Sequence, residues 1–580
     1  MDEQTGKPKP LFYFTVFLIV AALVAFAAYR SDIFAPKGKD ENKIPTLTKE
    51  EMDKLKPTPE APDANAPTTV KEYKYVASEK LPAVQGVAAY KPLENGSTVK
   101  FALNVWAGWA PIISANEGFK PKKEWTTPDG QKFKVELVLI DNPVAMRDAY
   151  ASGNVHIGWA TVDMLPLFMD ELKKDSRTMP RVYQQIDWSN GGDGIVARAD
   201  IKSVANLRGK TVVLAQNSPS QYFILNALIN AGVQPAEVKF KYTDDAFQAA
   251  TAFAADKSIA AAVSWAPDIY NLSKIPGNKL LVSTLEADHL IADVWFARAD
   301  FAKDHGNIIE GIVRGILDSV ETLQSQEKKL EVSKWMAEGY SLPPADALGM
   351  LGDAHWTNYA ENREFFLNEN NPTNFQRTWD NAYFLYKRIG KISSDKVDFN
   401  QVADFSVVQK LGSEDKYAKS VNSYLKQFVA KDPSSFKLES GEILTKTVVI
   451  HFYPNSSDVN YKVTKTTDGK AVTELYDPNV DLVVEDIGKI AGQFGACRIV
   501  IEGHTDASMK GSVPFEAVKR LSQERAESVR EALLKKFPKL PANQIGSTGK
   551  GWDVPADPSQ PNDHAKNRRV EVKVYPLEAQ

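Results

Sequence analysis

Ile501-Glu502-Gly503-His504-Thr505-Asp506 is the stretch that decides the fold of the C-terminal part of this chain. Its apolar start predicts a short buried strand that ends in a polar loop. Leu521-Ser522-Gln523-Glu524-Arg525-Ala526 then opens an amphipathic helix, and Asn567-Arg568-Arg569-Val570-Glu571-Val572 leads into an alternating strand. Asp506 and Arg525 could together hold a zwitterionic ligand, because a carboxylate binds an ammonium group and a guanidinium binds a carboxylate.

The three motifs, in this order, resemble those of the OmpA-like peptidoglycan-binding domain, and the resemblance covers residues 446–580. It implies that an acid and an arginine grip the diaminopimelate of the cell-wall peptide. Two positions depart from the family pattern: Val518 stands where many members carry Asn, and Tyr453 stands where an acid is common. The alternative is that the acid is a loop cap and the arginine an exposed helix charge. The implied peptidoglycan-binding residues are Asp506, Arg525, Thr505 and Asn567.

Length and composition bound the rest of the chain. A chain of 580 residues predicts two or three domains, and 43% hydrophobic and 25% charged residues are ordinary for globular protein. The formal charge of −4 argues against a nucleic-acid partner, because no excess of base is available to follow phosphates. Cys497 is the single cysteine, so an internal disulfide and a cysteine-based zinc site are both excluded.

Residues 11–29 form an uncharged apolar run that predicts a transmembrane helix, because it is long enough to span about one hydrocarbon core. Residues 1–10 are then a cytoplasmic tail. Ala25-Phe26-Ala27 could instead be a cleavage site. Residues 30–86 are rich in Pro, Lys, Glu and Ala and predict a flexible linker. We expect a single-pass inner-membrane protein with the bulk of the chain in the periplasm.

Residues 87–411 alternate apolar strands with helices, which predicts an α/β fold with parallel sheets flanked by helices. Ligands on such sheets bind at the carboxyl ends of strands. The predicted helices are 146–152, 220–231, 246–254 and 308–325. The predicted strands are Val99-Lys100-Phe101-Ala102-Leu103, residues 135–140, His156-Ile157-Gly158-Trp159-Ala160, residues 211–215, 260–265 and 279–283.

This region resembles the periplasmic type 2 substrate-binding proteins of ABC importers, in the group of nitrate, sulfonate and taurine binders. The resemblance rests on Asn104-Val105-Trp106-Ala107-Gly108-Trp109, Gly158-Trp159-Ala160-Thr161-Val162-Asp163, Leu207-Arg208-Gly209-Lys210 and Val263-Ser264-Trp265-Ala266-Pro267-Asp268. It implies a two-lobed solute-binding domain with a ligand cleft, followed by the small α/β OmpA-like domain. It also implies an ABC permease as a partner.

Tryptophans and acids cluster at the expected strand ends of this region. Six of the eleven tryptophans lie there, including Trp295, and Asp187 and Asp268 lie close by. Aromatic rings beside carboxylates suit an organic cation, whereas sulfonate or nitrate would need Arg, Lys or helix N-termini. The alternative is that these tryptophans pack in the core and that Ser220 only caps a helix. The predicted ligand-binding residues are Trp106, Trp109, Trp159, Trp188, Asp193, Ser220, Trp265 and Asp293.

Residues 412–445 form a connecting segment, and Tyr417, Val421, Tyr424, Leu425 and Phe428 predict one amphipathic helix within it. The last domain is predicted in a β-α-β-α-β order, with its first strand at residues 447–452, a helix at 479–494 and a final strand at 570–575.

No catalytic or phosphate-binding motif occurs, and we predict neither enzyme activity nor a cofactor or metal. The sequence therefore favours a membrane-anchored periplasmic receptor for a small molecule, cationic by hypothesis, that also binds peptidoglycan. The rival is an envelope scaffold whose binding-protein fold docks a protein partner.

Overall fold

The computed structural model describes residues 68–70, 72–93, 97–433, 441–467 and 470–577. The predicted cytoplasmic tail (1–10), the transmembrane helix (11–29) and the first part of the predicted linker lie outside these residues. Among the residues described, no helix is both long and apolar enough to cross a membrane.

Two mixed sheets organise residues 97–433. Seven strands form the first sheet in the order β12-β5-β11-β4-β1-β3-β2, and five form the second in the order β10-β6-β9-β7-β8. The strands are β1 Thr98–Leu103, β2 Trp125–Thr126, β3 Lys132–Leu139, β4 Ile157–Thr161, β5 Pro180–Ser189, β6 Asp193–Arg198, β7 Thr211–Ala215, β8 Lys239–Thr243, β9 Ala261–Trp265, β10 Asn278–Ser283, β11 Ala292–Arg298 and β12 Ala354–Trp356.

Helices cover the faces of both sheets, so that β4, β9 and β11 are buried along almost their whole length. The helices are α1 Ala110–Ala115, α2 Pro143–Ala151, α3 Leu165–Leu172, α4 Pro219–Asn230, α5 Ala246–Ala255, α6 Asp268–Ser273, α7 Ala299–Asp304, α8 Gly306–Thr322, α9 Gln326–Tyr340, α10 Pro344–Met350, α11 Tyr359–Leu367, α12 Phe375–Arg388, α13 Ser406–Leu411 and α14 Asp415–Ala418.

Each sheet with its helices forms one lobe, called here the first lobe and the second lobe. Between β1 and β12 the chain passes between them twice, through residues 190–192 (the first crossing) and residues 284–291 (the second crossing). The central strands β1, β3 and β4 of the first sheet run parallel, and so do β7, β8 and β9 of the second. The predicted two-lobed α/β architecture is confirmed. The prediction of parallel sheets holds only for these central strands, because the pairs β10–β6, β11–β4, β11–β5, β12–β5, β2–β3 and β6–β9 are antiparallel.

The C-terminal domain, residues 441–577, has a four-stranded sheet in the order β13-β18-β16-β17 and a separate hairpin, β14-β15. Its elements are β13 Leu444–Val448, β14 Lys462–Thr467, β15 Lys470–Leu475, α15 Val480–Gln493, β16 Cys497–Gly503, α16 Phe515–Lys536, β17 Ile545–Gly549, α17 His564–Asn567 and β18 Val570–Pro576.

The predicted order of this domain needs three corrections. The first strand was predicted at residues 447–452 but runs from Leu444 to Val448, because these are the residues that pair with the final strand β18. The hairpin β14-β15 was not predicted, since its mostly polar residues give no buried apolar face. Strand β17 was also missed, because the sequence Ile545-Gly546-Ser547-Thr548-Gly549 has a single large apolar residue.

The amphipathic helix predicted within the connecting segment is wrong beyond Ala418, where α14 ends. Residues 419–432 carry no helix, and several of their backbone groups bond to side chains of the first lobe or of the C-terminal domain instead. Ser423 N–H donates to Glu361 Oε1 (3.1 Å), and Asn358 Nδ2 donates to Val421 O (2.8 Å). The apolar spacing therefore reflects alternate burial of an extended chain, with Tyr424 buried and Val421 exposed.

Residues 68–70 and 72–86, predicted as part of a flexible linker, lie against the second lobe. Thr69 N–H donates to Asp268 Oδ1 (2.8 Å), and Val76 forms a single antiparallel bridge with Tyr242 on the edge strand β8. Further along, Lys91 N–H donates to Gly153 O of the first lobe (3.0 Å). This segment covers a sheet edge that would otherwise expose backbone groups, which linker-like composition does not reveal.

Candidate binding sites

A cavity of about 270 Å³ lies between the two lobes. Residues that directly follow β1 and β9 line it, so it occupies the carboxyl ends of parallel strands, as predicted for such sheets. Four aromatic rings and two acids give the cavity its chemical character. These side chains are Trp106, Phe247, Trp265, Tyr270, Asp346 and Asp353.

Packing fixes the aromatic walls of this cavity. Trp106 Nε1 donates to Asp187 Oδ2 (2.8 Å), and the indole lies so close to Gly192 that a Cβ there would be 2.5 Å from the ring. Trp265 meets Phe247 edge to face, with ring centroids 5.5 Å apart. Both rings are therefore held in place before any ligand arrives.

Tyr270 joins the two lobes at the cavity. Its hydroxyl donates to Gly191 O in the first crossing (2.6 Å) and lies 3.1 Å from Asp353 Oδ1 of the first lobe, which shares the same hydrogen. Burial raises the pKa of Asp353 to about 6, although the hydrogen bond from Tyr270 lowers it. Burial also raises the pKa of Asp346. None of the described residues that line the cavity is Lys, Arg or His, so its charge is negative or neutral.

Four buried aspartates form a second layer behind Trp106. Asp293 on β11 lies directly opposite Asp187 on β5, and the start of β6 contributes Asp193. Asp163 follows the end of β4 by two residues. Burial raises the pKa of Asp163, Asp187 and Asp193 to about 7, and burial together with the Asp187 carboxyl raises that of Asp293 well above its ordinary value.

The second layer has hydrogen-bond donors but no counter-ion. Trp106 donates to Asp187, and Ser189 Oγ donates to Asp193 Oδ2 (2.7 Å). Neither carboxyl oxygen of Asp163 has a hydrogen-bond partner among the described residues. Within the same residues, no Lys or Arg pairs with any of the four. Because an ionised carboxylate is costly to bury alone, the cluster is either protonated or neutralised by a cation.

The other predicted ligand-binding residues do not line this cavity. Trp109 and Trp159 are core residues whose indole N–H groups bond Asn104 and Ile140 O. Trp188 packs against His289, beside the C-terminal domain. Ser220 is fully buried in α4, and its hydroxyl has no described partner.

Of the predicted set, the structure brings Trp106 and Trp265 into the cavity and Asp193 and Asp293 behind it. Sequence reasoning missed Tyr270, Asp346 and Asp353. The two acids reach the cavity from α10 and the segment after it, far along the chain, and no local motif marks them.

A second cavity, of about 400 Å³, lies in the C-terminal domain where β16 ends. Asp506, Thr505 and Arg525 line it together, as the strand-loop-helix pattern predicted. Arg525 Nε donates to Ser456 O (3.1 Å), and its guanidinium lies 4.8 Å from the ring centroid of Phe452. Burial lowers the pKa of Arg525, and the charge of Asp506 opposes that effect.

Asp506 has two basic neighbours that sequence reasoning missed. Arg568 Nε lies 3.3 Å from Asp506 Oδ2, and His564 Nδ1 lies 3.4 Å from Oδ1. Burial raises the pKa of the carboxyl, but hydrogen bonds from Ser508 and these charges outweigh it, so the net pKa is lowered. Asn567 does not line the cavity: it donates to Pro561 O (2.8 Å) and so holds the preceding loop.

Glu502, His504 and Glu571 come close enough together to hold a metal ion. The carboxylates already have cationic partners, since Lys573 Nζ lies 2.8 Å from Glu502 and Arg569 Nε lies 2.7 Å from Glu571. We therefore assign this trio to packing of the sheet.

Gly503 allows the strand that carries this site to approach α16. A Cβ at Gly503 would lie 2.2 Å from Ser522 O. We expect Gly503→Ala to cost about 1–3 kcal/mol, because the backbone of α16 must move, and to lower the melting temperature of the C-terminal domain by at least about 4 °C. Gly441→Ala is the matched control, since no atom lies within 4 Å of the added carbon. Calorimetry that shows equal melting for both variants would contradict the close packing.

Comparisons with known proteins divide the chain in the same way. Residues 131–328 match the NMT1/THI5-like family, and residues 472–569 match the OmpA family. The chain is 25% identical over 309 residues to the taurine-binding periplasmic protein of Escherichia coli (strain K12), a match that covers 52% of this chain and 89% of that protein.

Solved structures also align with part of the chain. The periplasmic aliphatic sulphonate binding protein of Escherichia coli aligns with a TM-score of 0.41 and 18% identity, over 53% of this chain and 96% of that one. The periplasmic nitrate-binding protein of Synechocystis PCC 6803 aligns with a TM-score of 0.41 and 14% identity, over 56% of this chain and 90% of that one. The chain thus contains an NMT1/THI5-like domain followed by an OmpA-family domain.

Proposed function

We propose that this protein is a periplasmic receptor that binds a small organic cation or amine between its lobes and binds peptidoglycan through its C-terminal domain. The observation that carries the proposal is the cavity in which Trp106 and Trp265 face two carboxyls, with no basic side chain among its described lining residues. Such a receptor would serve transport through a permease, or sensing, and would bind its ligand without catalysis.

Aromatic faces and carboxyls together favour a positively charged ligand. A ring face attracts a cation by its quadrupole, and more strongly when water is excluded. A cation in the cavity would also offset the cost of the buried aspartates behind Trp106. An anion would meet the opposite charge and no guanidinium or ammonium partner. The ligand group that the cavity contacts is therefore an ammonium group.

The similarity to a taurine-binding protein is compatible with this class, because taurine carries an ammonium group as well as a sulfonate. Taurine alone would not distinguish the two groups. A useful panel therefore contains taurine, a simple alkyl sulfonate, nitrate, and primary and quaternary amines.

We expect amines to raise the melting temperature of the purified protein and the simple sulfonate and nitrate to leave it unchanged. A ligand at 100-fold excess over its Kd stabilises the native state by about 2.7 kcal/mol, which a thermal shift assay detects. Asp353→Asn should abolish the shift because it removes the carboxyl that lines the cavity, whereas the exposed Asp415→Asn should retain it. Stabilisation by the sulfonate with no response to amines would refute the ligand class.

The peptidoglycan part of the proposal rests on Asp506 and Arg525, which share one cavity and carry opposite charges. The stem peptide's diaminopimelate presents an ammonium and a carboxylate on one carbon, which matches this pair. Peptidoglycan of the diaminopimelate type is the proposed partner, and co-sedimentation of the intact protein with purified sacculi tests it. A membrane anchor at residues 11–29 stays a prediction, which fractionation of the envelope would check.

A further inference from the structure

The hinge of the binding lobes consists of the two crossings, which bond to each other. Thr284 N–H donates to Asp193 O (2.9 Å), and Gly191 N–H donates to Thr284 Oγ1 (2.9 Å). Ser189 N–H donates to Ile291 O (3.0 Å) at the other end. Any rotation of one lobe against the other must change backbone angles within these two short segments.

The turn between α15 and β16 of the C-terminal domain sits directly on the second crossing. His289 N–H donates to Gln493 O (3.3 Å), and Cys497 Sγ donates to Glu286 O (3.7 Å). At Gly495, an added Cβ would lie 2.7 Å from Asp288 Oδ1. A side chain at Gly495 would therefore overlap the buried Asp288 carboxylate and the His289 ring, and this contact favours glycine.

The first crossing is held from the same side by the connecting segment. Tyr424 OH donates to Asn190 Oδ1 (2.9 Å), and the Tyr424 ring lies 5.0 Å from the ring of His289 in the second crossing. The buried side chain of Tyr424 therefore contacts both crossings.

The C-terminal domain also holds each lobe separately. On the first lobe, Arg377 of α12 forms an ion pair with Glu485 of α15, and a Cβ at Gly492 would lie 2.6 Å from Pro372. On the second lobe, Val204 N–H donates to Ile443 O (3.3 Å), next to β13. The buried apolar core continues without interruption from the lobes into the C-terminal domain.

We propose that the docked C-terminal domain is a brace on the hinge, which fixes the angle between the lobes and must release before the ligand cleft can change its opening. A body that contacts both lobes and both crossings cannot keep all these contacts when the lobes rotate. Ligand entry and docking of the C-terminal domain are then linked, each changing the free energy of the other by the same amount. The inference requires neither the ligand class nor peptidoglycan binding.

Distances between spin labels on the full-length protein test the brace without any ligand. One label pair, at Lys122→Cys of the first lobe and Lys257→Cys of the second, reports the angle between the lobes. A second pair, at Lys122→Cys and Glu531→Cys, reports docking of the C-terminal domain. All three positions are exposed, whereas the native Cys497 is buried. We expect one narrow distribution for each pair in the otherwise unchanged protein.

Glu485→Arg should undock the C-terminal domain, because it places like charge beside Arg377. Gly495→Leu should do so independently by steric overlap with Asp288. In both variants we expect the second pair to shift and the first pair to broaden by several Å. Asp481→Arg, exposed on the same helix, should change neither distribution. An undocked domain with an unchanged distance between the lobes would overturn the brace, as would a broad distribution while the domain is docked.

Discussion

Asp506→Ala is expected to abolish retention of the protein by peptidoglycan, with a loss of affinity of at least about 30-fold. The lowered pKa of Asp506 keeps its carboxylate ionised at neutral pH, so that it can bind an ammonium group. Its removal leaves Arg568 and Arg525, which both line the cavity, without the acid beside them. The ammonium of diaminopimelate would then face positive charge alone. Co-sedimentation with sacculi over a range of protein concentrations measures the loss.

Arg525→Ala should weaken binding to a similar degree, because it removes the partner for the carboxylate of diaminopimelate. Arg520→Ala is the matched control on the same helix, since the Arg520 side chain is 76% exposed and does not line the cavity. Circular dichroism must show each variant folded. If Asp506→Ala and Arg525→Ala both pellet like the unchanged protein, the cavity is not the peptidoglycan site.

Asp163→Asn is expected to stabilise the binding lobes at pH 8 and to have little effect near pH 4. Both oxygens of Asp163 lack described partners, and burial raises its pKa from 3.8 to about 7. Between these values the unfolded chain releases a proton that the folded chain keeps. The free energy of unfolding therefore falls as pH rises from about 4 to about 7, and the loss levels off above that range.

The size of this effect follows from the shift. Each pKa unit corresponds to about 1.4 kcal/mol, so the neutral amide should recover roughly 2–4 kcal/mol at pH 8 and raise the melting temperature by about 5 °C. Thermal melts from pH 4 to pH 8 measure it. Asp395→Asn, at a fully exposed position, should leave the pH dependence intact. If the difference in melting temperature between Asp163→Asn and the unchanged protein is the same at every pH, the prediction is contradicted.

Periodicity predicted six of the twelve described strands of the lobes, because strands such as β4 and β9 are short apolar runs between helices of clear spacing. It missed β2, β5, β6, β8, β11 and β12. The strand ends located Trp106 and Trp265 correctly beside the cleft. The position of a residue at a strand end does not indicate the direction of its side chain. The sequence therefore could not distinguish the core residues Trp109 and Trp159 from the cavity residues Trp106 and Trp265. Local pattern also gave a helix where residues 419–432 are extended, because backbone capture by Glu361 and Asn358 is a tertiary effect.

Contacts between segments far apart in the chain could not be predicted from the sequence. Asp353 reaches the cavity because β12 joins the edge of the first sheet, a pairing with no local signal. In the C-terminal domain, the sequence motifs predicted that Asp506 and Arg525 lie in one cavity, because both belong to a single strand-loop-helix unit. Arg568 was missed although it belongs to the motif that begins at Asn567, since only the tertiary fold brings it beside Asp506.

The N-terminal segment that covers the second lobe gives this protein a mechanical response. Its bonds to Asp268, to Tyr242 and to Gly153 follow one another along the chain. A pull at Thr68 would load these contacts one after another, so that the segment would separate from the lobes contact by contact. About 25 residues would be released, a gain in length of at most roughly 90 Å. The segment would thus lengthen before a force applied at the N-terminus reaches the two lobes.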